Sequence, residues 1–550
     1  MRWILVCVIG LSFSKCFSQD LYLKLKSLDP EQDSILKISE PVKAYSDINS
    51  LKKDVNKKIE LFQNKGYFNL RFSELKQEND SVFSTTINFR EKYNYIAIAN
   101  YNEYPEVFEE LKPTIKTDQF ENFVNLVLNN YAKQGKAFSK VKLINIRTTT
   151  SDTVIADFSI EESKIRKLDD IVIRGYKEFP KSFISNYANI KIGELFEKDK
   201  LIEKSERVEL LRFASQKQSP QIQFTKDSTK LFLYLEKSQA NTFDGFIGFN
   251  NTEENEFQLN GNIDLSLVNN FNSGEEINLN YRNDGNAQEW FEANVRLPYI
   301  LRTRLSFEAG LGFFNQDSTF SNNNQYLKLD YQIRQNINFG GKVTFENSSN
   351  LEDENLTNNL ADFEKQKYGI VFSYDTPRRL NNLFQSDRFI NLSIGLANRE
   401  SQLLAENQQY IELNSRQLFK IGKRQYIYLG LLAAFLNSNT YFNNELYRFG
   451  GVNSMRGFAE NRFFANLYGI LQTEYRYILG SNLYVHTVLD FGFYENQINS
   501  FSENIYSLGL GFGIQTKAGI LKLILANGAS SNQRFEFRNT QIHIKLLSLF

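Results

Sequence analysis

The chain has 550 residues, which is long enough for roughly three or four folding units. Its 64 basic residues balance its 64 acidic residues, so the formal net charge is zero and the composition argues against a nucleic-acid binder. Aromatic residues make up 14% of the chain and proline occurs only 8 times, a composition that suits many strands joined by polar turns.

The first eighteen residues are predicted to be a secretion signal peptide. Arg2 supplies the positive start, and residues 4–13 form the apolar run. Lipidation of Cys16 is disfavoured because Lys15 stands where a small residue is expected. Since Cys7 and Cys16 are the two cysteines of the sequence, the mature chain is expected to carry no thiol, which excludes disulfides, zinc-thiolate sites and cysteine nucleophiles.

From about residue 20 to residue 238, a pattern of strand, helix and two strands occurs three times with a period of about 70–75 residues. Each predicted helix has apolar residues at helical spacing. These residues are Leu51, Val55, Ile59 and Phe62 in the first helix, Phe120, Phe123, Val127 and Tyr131 in the second, and Ile202, Val208 and Leu211 in the third. We predict three tandem α+β modules over residues 19–91, 92–163 and 164–238. A single α+β domain with accidental internal symmetry is the alternative.

After residue 240 the helical period disappears, and about sixteen runs of near-alternating polarity follow. The runs begin near residues 242, 256, 275, 289, 303, 324, 337, 366, 387, 408, 424, 462, 482, 504, 519 and 540. No run after the signal peptide reaches the roughly 18–20 apolar residues of a membrane helix, so a membrane-spanning fold would have to be a closed barrel. Numbered in chain order, the even-numbered connections between these runs tend to be short, while the odd-numbered ones are longer and polar, such as residues 347–366. This difference is typical of such a barrel. We therefore predict a sixteen-stranded antiparallel transmembrane β-barrel over residues 240–550.

The longest gap between predicted strands, residues 437–461, joins the eleventh and twelfth runs. It contains Arg456, with Gly457 directly after it and the pair Gly450 and Gly451 shortly before it. Glycines permit sharp turns of the backbone, so this loop could fold back into the barrel, with Gly450 and Gly451 as its hinge.

Two carboxylates are predicted to face the barrel interior from the strands that follow this loop. Glu474 and Asp490 lie on the polar faces of the twelfth and thirteenth runs, whose apolar faces belong to lipid. Arg456 on a loop folded into the lumen would meet both, and a bidentate guanidinium–carboxylate contact could hold the loop there. Gly492, beside Asp490, would leave room for Phe458.

These features resemble the BamA/TamA superfamily of outer-membrane assembly proteins. The similarity rests on the run R-G-F at 456–458, in a long loop before the twelfth strand, and on D-F-G at 490–492 in the thirteenth. The N-terminal units resemble polypeptide-transport-associated (POTRA) domains, and a set of three is more similar to TamA than to BamA. The resemblance implies that the arginine is held inside the barrel by Asp490 and Glu474. The residue before it, often Val in this family, is Met455 here.

The resemblance also implies an outer-membrane protein of a Gram-negative-type bacterium, with its N-terminal modules in the periplasm, that inserts or exports client proteins. Its mechanism would use a seam between the first and last barrel strands. Gly245 and Gly248 weaken the predicted first strand, while Ile542, Ile544 and the terminal aromatic Phe550 share one face of the last. A poorly paired seam presents an edge to which a client strand can add.

The expected partners are the outer-membrane lipid bilayer, unfolded outer-membrane or secreted client proteins, and a periplasm-spanning or lipoprotein partner; nucleic acid is not expected. No cofactor, metal or enzymatic activity is predicted, because the two histidines of the mature chain, His486 and His543, are far apart and suggest no metal cluster or catalytic triad. A glycine-rich run at 509–513 lies within a predicted strand and does not precede a helix, which disfavours phosphate binding. Two alternatives stay open: a two-partner-secretion-type transporter that exports one client, and a passive porin-like pore.

Overall fold

A computed structural model describes the chain over residues 20–32, 35–36, 43–109, 112–148, 152–251, 257–283, 288–317, 319–351, 359–377, 383–384, 386–402, 404–516, 519–531 and 533–549. The predicted signal peptide with Cys7 and Cys16, and the terminal Phe550, lie outside the described residues. The chain forms two compact units. One extends to Lys167 and includes Leu195–Lys198; the other comprises Leu168–Glu194 and the chain from Asp199 onwards.

The N-terminal part consists of α/β modules whose sheets share one topology, in which the first strand pairs in parallel with the last. The first sheet contains β1 (Leu21–Ser27), β2 (Ala44–Tyr45), β3 (Arg71–Phe72), β4 (Lys76–Gln77) and β5 (Val82–Asn88). The second contains β6 (Tyr95–Ile98), β7 (Thr114–Lys116), β8 (Lys140–Thr148) and β9 (Thr153–Glu161). The third contains β10 (Asp170–Gly175), β11 (Ala214–Phe224) and β12 (Thr229–Lys237). The module boundaries given above stay predictions.

Helices cover these sheets and bury the apolar faces read from the sequence. They are α1 (Ile48–Asn64), α2 (Pro105–Phe108), α3 (Phe120–Lys133), α4 (Ser182–Asn186) and α5 (Lys198–Glu206). Helix α1 begins at the cap Asp47, whose carboxylate accepts the Ser50 N–H at 2.7 Å, and this hydrogen bond lowers the pKa of Asp47. In the ranges that the structure describes, no helix has the length and hydropathy needed to cross a bilayer.

The helix of the third module is shorter than predicted. It ends at Glu206, Val208 lies in a 3₁₀ turn (Arg207–Leu210), and Leu211 is extended. Hydrogen bonds from β11 explain this end, because Gln216 donates its side-chain amide to the Ser205 carbonyl and its backbone N–H to Glu209. These contacts come from the strand that follows the helix, so helical spacing alone could not reveal them.

The C-terminal part is a closed sixteen-stranded antiparallel barrel, as the sequence predicts. Its strands are β13 (Thr242–Asn251), β14 (Phe257–Val268), β15 (Glu276–Asn283), β16 (Gln288–Leu297), β17 (Leu305–Gln316), β18 (Phe320–Arg334), β19 (Ile337–Asn350), β20 (Phe363–Pro377), β21 (Ser386–Ser401), β22 (Ala405–Lys420), β23 (Gln425–Asn437), β26 (Leu467–Gly480), β27 (Leu483–Asn496), β28 (Phe501–Gln515), β29 (Gly519–Ala529) and β30 (Gln541–Leu549). A separate ribbon of β24 (Tyr447–Phe449) and β25 (Phe463–Ala465) lies between β23 and β26.

Side chains alternate between the lumen and the outer surface of the barrel. In β27, Asp490 and Tyr484 are buried inside, while Leu489 and Phe491 are 51% and 44% exposed on the outer face. The same alternation in β29 places Ile524 inside and Leu525 outside. An apolar outer band around a polar interior is the pattern of strands that face lipid.

The connections depart from the predicted rule of short even-numbered and long odd-numbered links. Measured between the strand ends that the structure describes, three odd-numbered connections are long, at residues 351–362, 438–466 and 530–540. Polar segments assigned to loops instead continue the strands by backbone pairing; for example, Asn323 of β18 pairs with Asn347 of β19. Water outside the bilayer does not penalise polar side chains on paired strands, so polarity alone did not mark the strand ends.

Candidate functional site

The segment between β23 and β26, residues 438–466, is called the lumenal loop, because its central part is buried inside the barrel. Arg456 is 3% exposed, and its neighbours Met455 and Phe458 are fully buried. The chain turns at the predicted hinge, where Gly450 and Gly451 have φ of 131° and 84°, conformations that favour glycine. The structure thus places the loop inside the wall of strands β26–β30.

Arg456 contacts both predicted carboxylates. Its Nε donates to Asp490 Oδ2 at 2.8 Å, its Nη2 donates to Asp490 Oδ1, and its Nη1 donates to Glu474 Oε1. The backbone N–H of Arg456 also donates to Asp490 Oδ2 at 3.2 Å. The guanidinium therefore binds Asp490 with two parallel hydrogen bonds and binds Glu474 with its remaining edge. A lysine could not reproduce this arrangement.

The sequence analysis did not assign two further residues to this ion-pair network. Arg476 donates from Nε to Glu474 Oε2 at 2.7 Å, and His486 Nδ1 lies 3.4 Å from the same oxygen. With Arg476 included, two guanidinium groups face two carboxylates, Glu474 and Asp490, so the buried charges balance. Balanced pairing is what permits charges to be buried at all.

An apolar group of the lumenal loop fits against glycines of the wall. Phe458 packs on Gly528 of β29, where any Cβ would collide with its ring. An added Cβ at Gly492 would lie 2.8 Å from Ile505 and 3.5 Å from the sulfur of Met455, and the predicted pairing of Gly492 with Phe458 stays a prediction. Which loop side chain meets which wall glycine depends on three-dimensional packing, which strand alternation does not specify.

Gly457 joins the loop to the last strands of the barrel. Its φ is 82°, and a Cβ there would lie 2.7 Å from the backbone of Asn527 and Gly528 in β29. Its N–H donates to His543 Nε2 of β30 at 3.4 Å. The loop therefore contacts the strand that forms one side of the barrel seam.

A second anchor holds the start of the lumenal loop, and the sequence analysis missed it. Arg399 of β21 is fully buried and donates to Glu445 of the loop and to Glu406 of β22. Glu445 also accepts from Lys365 Nζ at 3.0 Å and from Gln408 Nε2 at 3.2 Å. Here the loop supplies the carboxylate and the wall the cations, the reverse of the Arg456 contact.

A possible signal for this anchor was the alternation of β20–β22, which puts Lys365, Arg399 and Glu406 on inward faces. Asn444, next to Glu445, strengthens the contact. Its side-chain amide donates to Ser348 Oγ and to the Ala361 carbonyl, each at 2.7 Å. Nothing in the local sequence of the loop distinguishes these residues from solvated ones.

The seam between the first and last strands is closed by few backbone pairs. Strand β13 has ten residue pairs with β14, whereas among the residues that the structure describes only Thr242 and Phe243 pair with β30, opposite Leu549 and Ser548. Gly245 and Gly248 lie on β13 beyond this paired segment, and Ile542 and Ile544 face outward on β30, being 64% and 68% exposed. Phe550 lies outside the described residues.

In the described part of the chain, no group of three or more His, Cys, Asp or Glu side chains could hold a metal ion. His486 and His543 both line one lumenal cavity, although 57 positions separate them in the sequence.

No protein-family model and no curated protein sequence matches this chain. Solved structures do match it. BamA from Haemophilus ducreyi lacking POTRA domains 1–3 is 14% identical, with a TM-score of 0.50 over 82% of this chain and 97% of that structure. CdiB from Acinetobacter baumannii is 15% identical with a TM-score of 0.51, and CdiB from Escherichia coli is 12% identical with a TM-score of 0.52; each match covers 83% of this chain and 90% of that protein. These similarities confirm the predicted fold class of N-terminal α/β modules followed by a sixteen-stranded barrel, while the number of three modules stays a prediction.

Proposed function

We propose that this protein is an outer-membrane assembly or translocation factor of the BamA/TamA type, with its N-terminal modules in the periplasm. In this proposal it inserts or exports unfolded client proteins, and it performs no catalysis and uses no cofactor. The observation that supports it most directly is a barrel whose first and last strands share two backbone pairs while a loop is anchored inside the lumen.

The seam provides the proposed site of client entry. Strand β30 has eight residue pairs with β29 and two with β13. At about 0.5–1.5 kcal/mol net for each backbone hydrogen bond, separating β13 from β30 costs far less than separating any other neighbouring pair. A client strand can then add to either exposed edge through backbone hydrogen bonds, which do not depend on the client's sequence.

The lumenal loop would restrict this opening. It lies in the lumen beside the seam, and the Gly457–His543 hydrogen bond ties it to β30. In this proposal Arg456, with Asp490 and Glu474, keeps the loop seated, while Gly450 and Gly451 are the hinge about which it could move. The N-terminal modules would hold extended clients by strand addition before they reach the seam.

A two-partner-secretion-type transporter is the second candidate, because the likeness to the CdiB structures is as close as that to BamA. In that role the lumen would conduct one exported client. A passive pore fits less well, since the buried lumenal loop occupies the space through which solutes would pass.

Depletion of the protein in its host, followed by quantitative proteomics of the outer membrane, tests the proposal. Loss of many barrel proteins would indicate general assembly, and loss of one or a few clients would indicate a specialised or secretion role. Unchanged levels of all outer-membrane and secreted proteins would contradict the proposal.

Complementation with Arg456→Ala tests the role of the loop. The variant leaves the buried Asp490 carboxylate without its partner, and breaking such a pair destabilises the structure that contains it by about 3–5 kcal/mol. Because this contact holds the loop and not the barrel strands, we expect a folded barrel that fails to restore client levels. Arg462→Ala, which removes an exposed arginine of the same loop, is the matched control and should complement fully. Full complementation by Arg456→Ala would show that the loop contact is not needed for function.

A further inference from the structure

A cavity of about 370 Å³ lies in the lumen directly beside the Arg456 ion pairs. It is bounded by Leu383 in the connection after β20 and by Tyr484 near the start of β27. Both residues belong to the barrel end that continues into the third module, because β13 also begins there.

The lining of this cavity is strongly basic. Five cationic side chains contribute to it, namely Arg416, Arg456, Arg476, Lys522 and Lys545. Among the described residues that line it, Glu474 is the one carboxylate, and Arg456 and Arg476 already use both of its oxygens. The remaining cations lack a partner of opposite charge: over the described ranges, no carboxylate lies within 4.0 Å of Arg416, Lys522 or Lys545.

Two of these cations face each other directly. Lys522 of β29 and Lys545 of β30 are cross-strand partners, and both point into the cavity. Like charges in directly opposed positions destabilise a sheet. On its other side Lys522 is opposite Gly513 of β28, which offers no side chain that could neutralise it.

Two inward glycines of β28 leave room for the rings that line this part of the cavity. A Cβ at Gly511 would lie 2.5 Å from His486 Nε2, and one at Gly513 would collide with the ring of Tyr484. Both rings therefore lie over β28, where they form a wall beside the lysine pair. The glycine-rich run at 509–513 thus shapes a lumenal surface, as its position within a strand suggested.

Carboxylates do occur in the adjoining cavity, across the seam. Asp244 of β13 and Asp264 of β14 line that space, together with Lys545. They are themselves directly opposed like charges on the wall of the first strands. The inner surface near the seam therefore has a basic side formed by β29 and β30 and an acidic side formed by β13 and β14.

We propose that the basic cavity binds a soluble oxyanion of the phosphate or carboxylate class, held by Lys522, Lys545 and Arg416. Two ammonium groups and one planar guanidinium provide charge-assisted donors for several oxygens, and the anion would separate the opposed lysines. The ligand would come from the aqueous phase, because these side chains face the lumen while Ile544 and Leu525 face outward. Anion binding at this cavity does not depend on client handling.

Inorganic phosphate is the probe for the test. The purified full chain in an uncharged detergent is titrated with phosphate at an ionic strength held constant with sodium chloride, and binding is followed from the phosphorus NMR line width. We expect saturable broadening by the natural protein. Because each charge-assisted hydrogen bond contributes substantially, the double variant Lys522→Gln with Lys545→Gln should bind at least about tenfold more weakly.

Two controls keep the test decisive. Lys342→Gln removes a lumenal lysine that lies over Tyr326 and does not line the cavity, so phosphate binding should persist. The double variant Lys522→Arg with Lys545→Arg keeps both charges and should retain binding, which separates loss of the site from misfolding. Absence of saturable broadening with the natural protein, or equal affinity in the double glutamine variant, would overturn the proposal.

Discussion

At the level of single residues, burial of Arg456 is made possible by an almost complete set of partners. Both edges of its guanidinium and its backbone N–H donate to carboxylates, and Arg476 balances the remaining negative charge on Glu474. Gly457 and Gly528 leave room for close contact between the loop and the wall, in addition to any backbone flexibility that glycine provides. Gly457 combines a left-handed conformation with a close approach to the β29 backbone, so its substitution tests the fit of the loop without altering any charge.

We predict that Gly457→Ala releases the lumenal loop although Arg456 and both carboxylates are unchanged. A left-handed alanine costs about 1–2 kcal/mol, and its Cβ would also press on the Asn527–Gly528 backbone. The measurement is the rate of tryptic cleavage after Arg456 and Arg462 in the intact protein, which should increase. Gly469→Ala in β26 is the control, because an added Cβ there meets no atom within 4 Å. Equal cleavage rates in the two variants would contradict this explanation.

At the level of elements, the lumenal loop has two anchors that use opposite charges. Its start supplies Glu445 to Arg399 and Lys365 of the wall, and its middle supplies Arg456 to carboxylates of the wall. The two contacts involve different strands and share no residue. Release of Arg456 would therefore leave the start of the loop in place and free the segment after the hinge glycines.

We predict that Glu445→Gln destabilises the loop start, because Arg399 and Lys365 would stay buried and charged without the negative charge of Glu445. Breaking a buried ion pair lowers the free energy of unfolding by about 3–5 kcal/mol. Hydrogen exchange of residues 443–449 should increase, whereas Glu364→Gln, on the exposed face of β20, should have no effect. If the anchors are independent, the changes in unfolding free energy caused by Glu445→Gln and by Arg456→Ala should add to that of the double variant within about 0.5 kcal/mol, measured by thermal unfolding. A larger coupling energy would mean that the loop moves as one body.

Pairing across the seam can be tested by disulfide cross-linking, because the mature chain is expected to be free of cysteine. Cysteines at Phe243 and Ser548, which are paired across the seam, should form a disulfide readily. Cysteines at Ile247 and Ile544 would be opposite each other only if the same register continued, so they should cross-link much more slowly. Gel mobility with and without reductant measures both rates. Similar rates would show that the seam pairs over its whole length.

At the level of the whole molecule, the third module and the barrel belong to one compact unit. Phe183 of α4 meets Tyr299 edge to face at 4.7 Å, and a Cβ at Gly274 would collide with the Phe183 ring. Tyr176 accepts a hydrogen bond from Asn269 at 2.7 Å. The module is thus fixed against two turns of the barrel, residues 269–275 and 298–304, so its orientation at the barrel entrance is defined.

We predict that Phe183→Ala loosens this contact, because truncating a buried aromatic side chain costs about 3–5 kcal/mol. Hydrogen exchange should increase in the turns at 269–275 and 298–304 while the barrel strands stay protected. Phe232→Ala, on the partly exposed face of β12, is the control and should leave both turns unchanged. Unaltered exchange in Phe183→Ala would show that Phe183 does not hold the module to the barrel.

The local sequence pattern determined the α/β modules, the sixteen strands and their approximate starts, because alternation and helical spacing are properties of neighbouring residues. It also identified Arg456 as the candidate anchor of the loop, from the glycines around it and the carboxylates on the next strands. The end of α5, the true strand ends, the fit of Phe458 on Gly528 and the second anchor at Glu445 were decided by tertiary structure. The same holds for the weakly paired seam and the opposed pair Lys522 and Lys545. Each of these depends on contacts between different elements, which follow from strand register and packing and which no local period encodes.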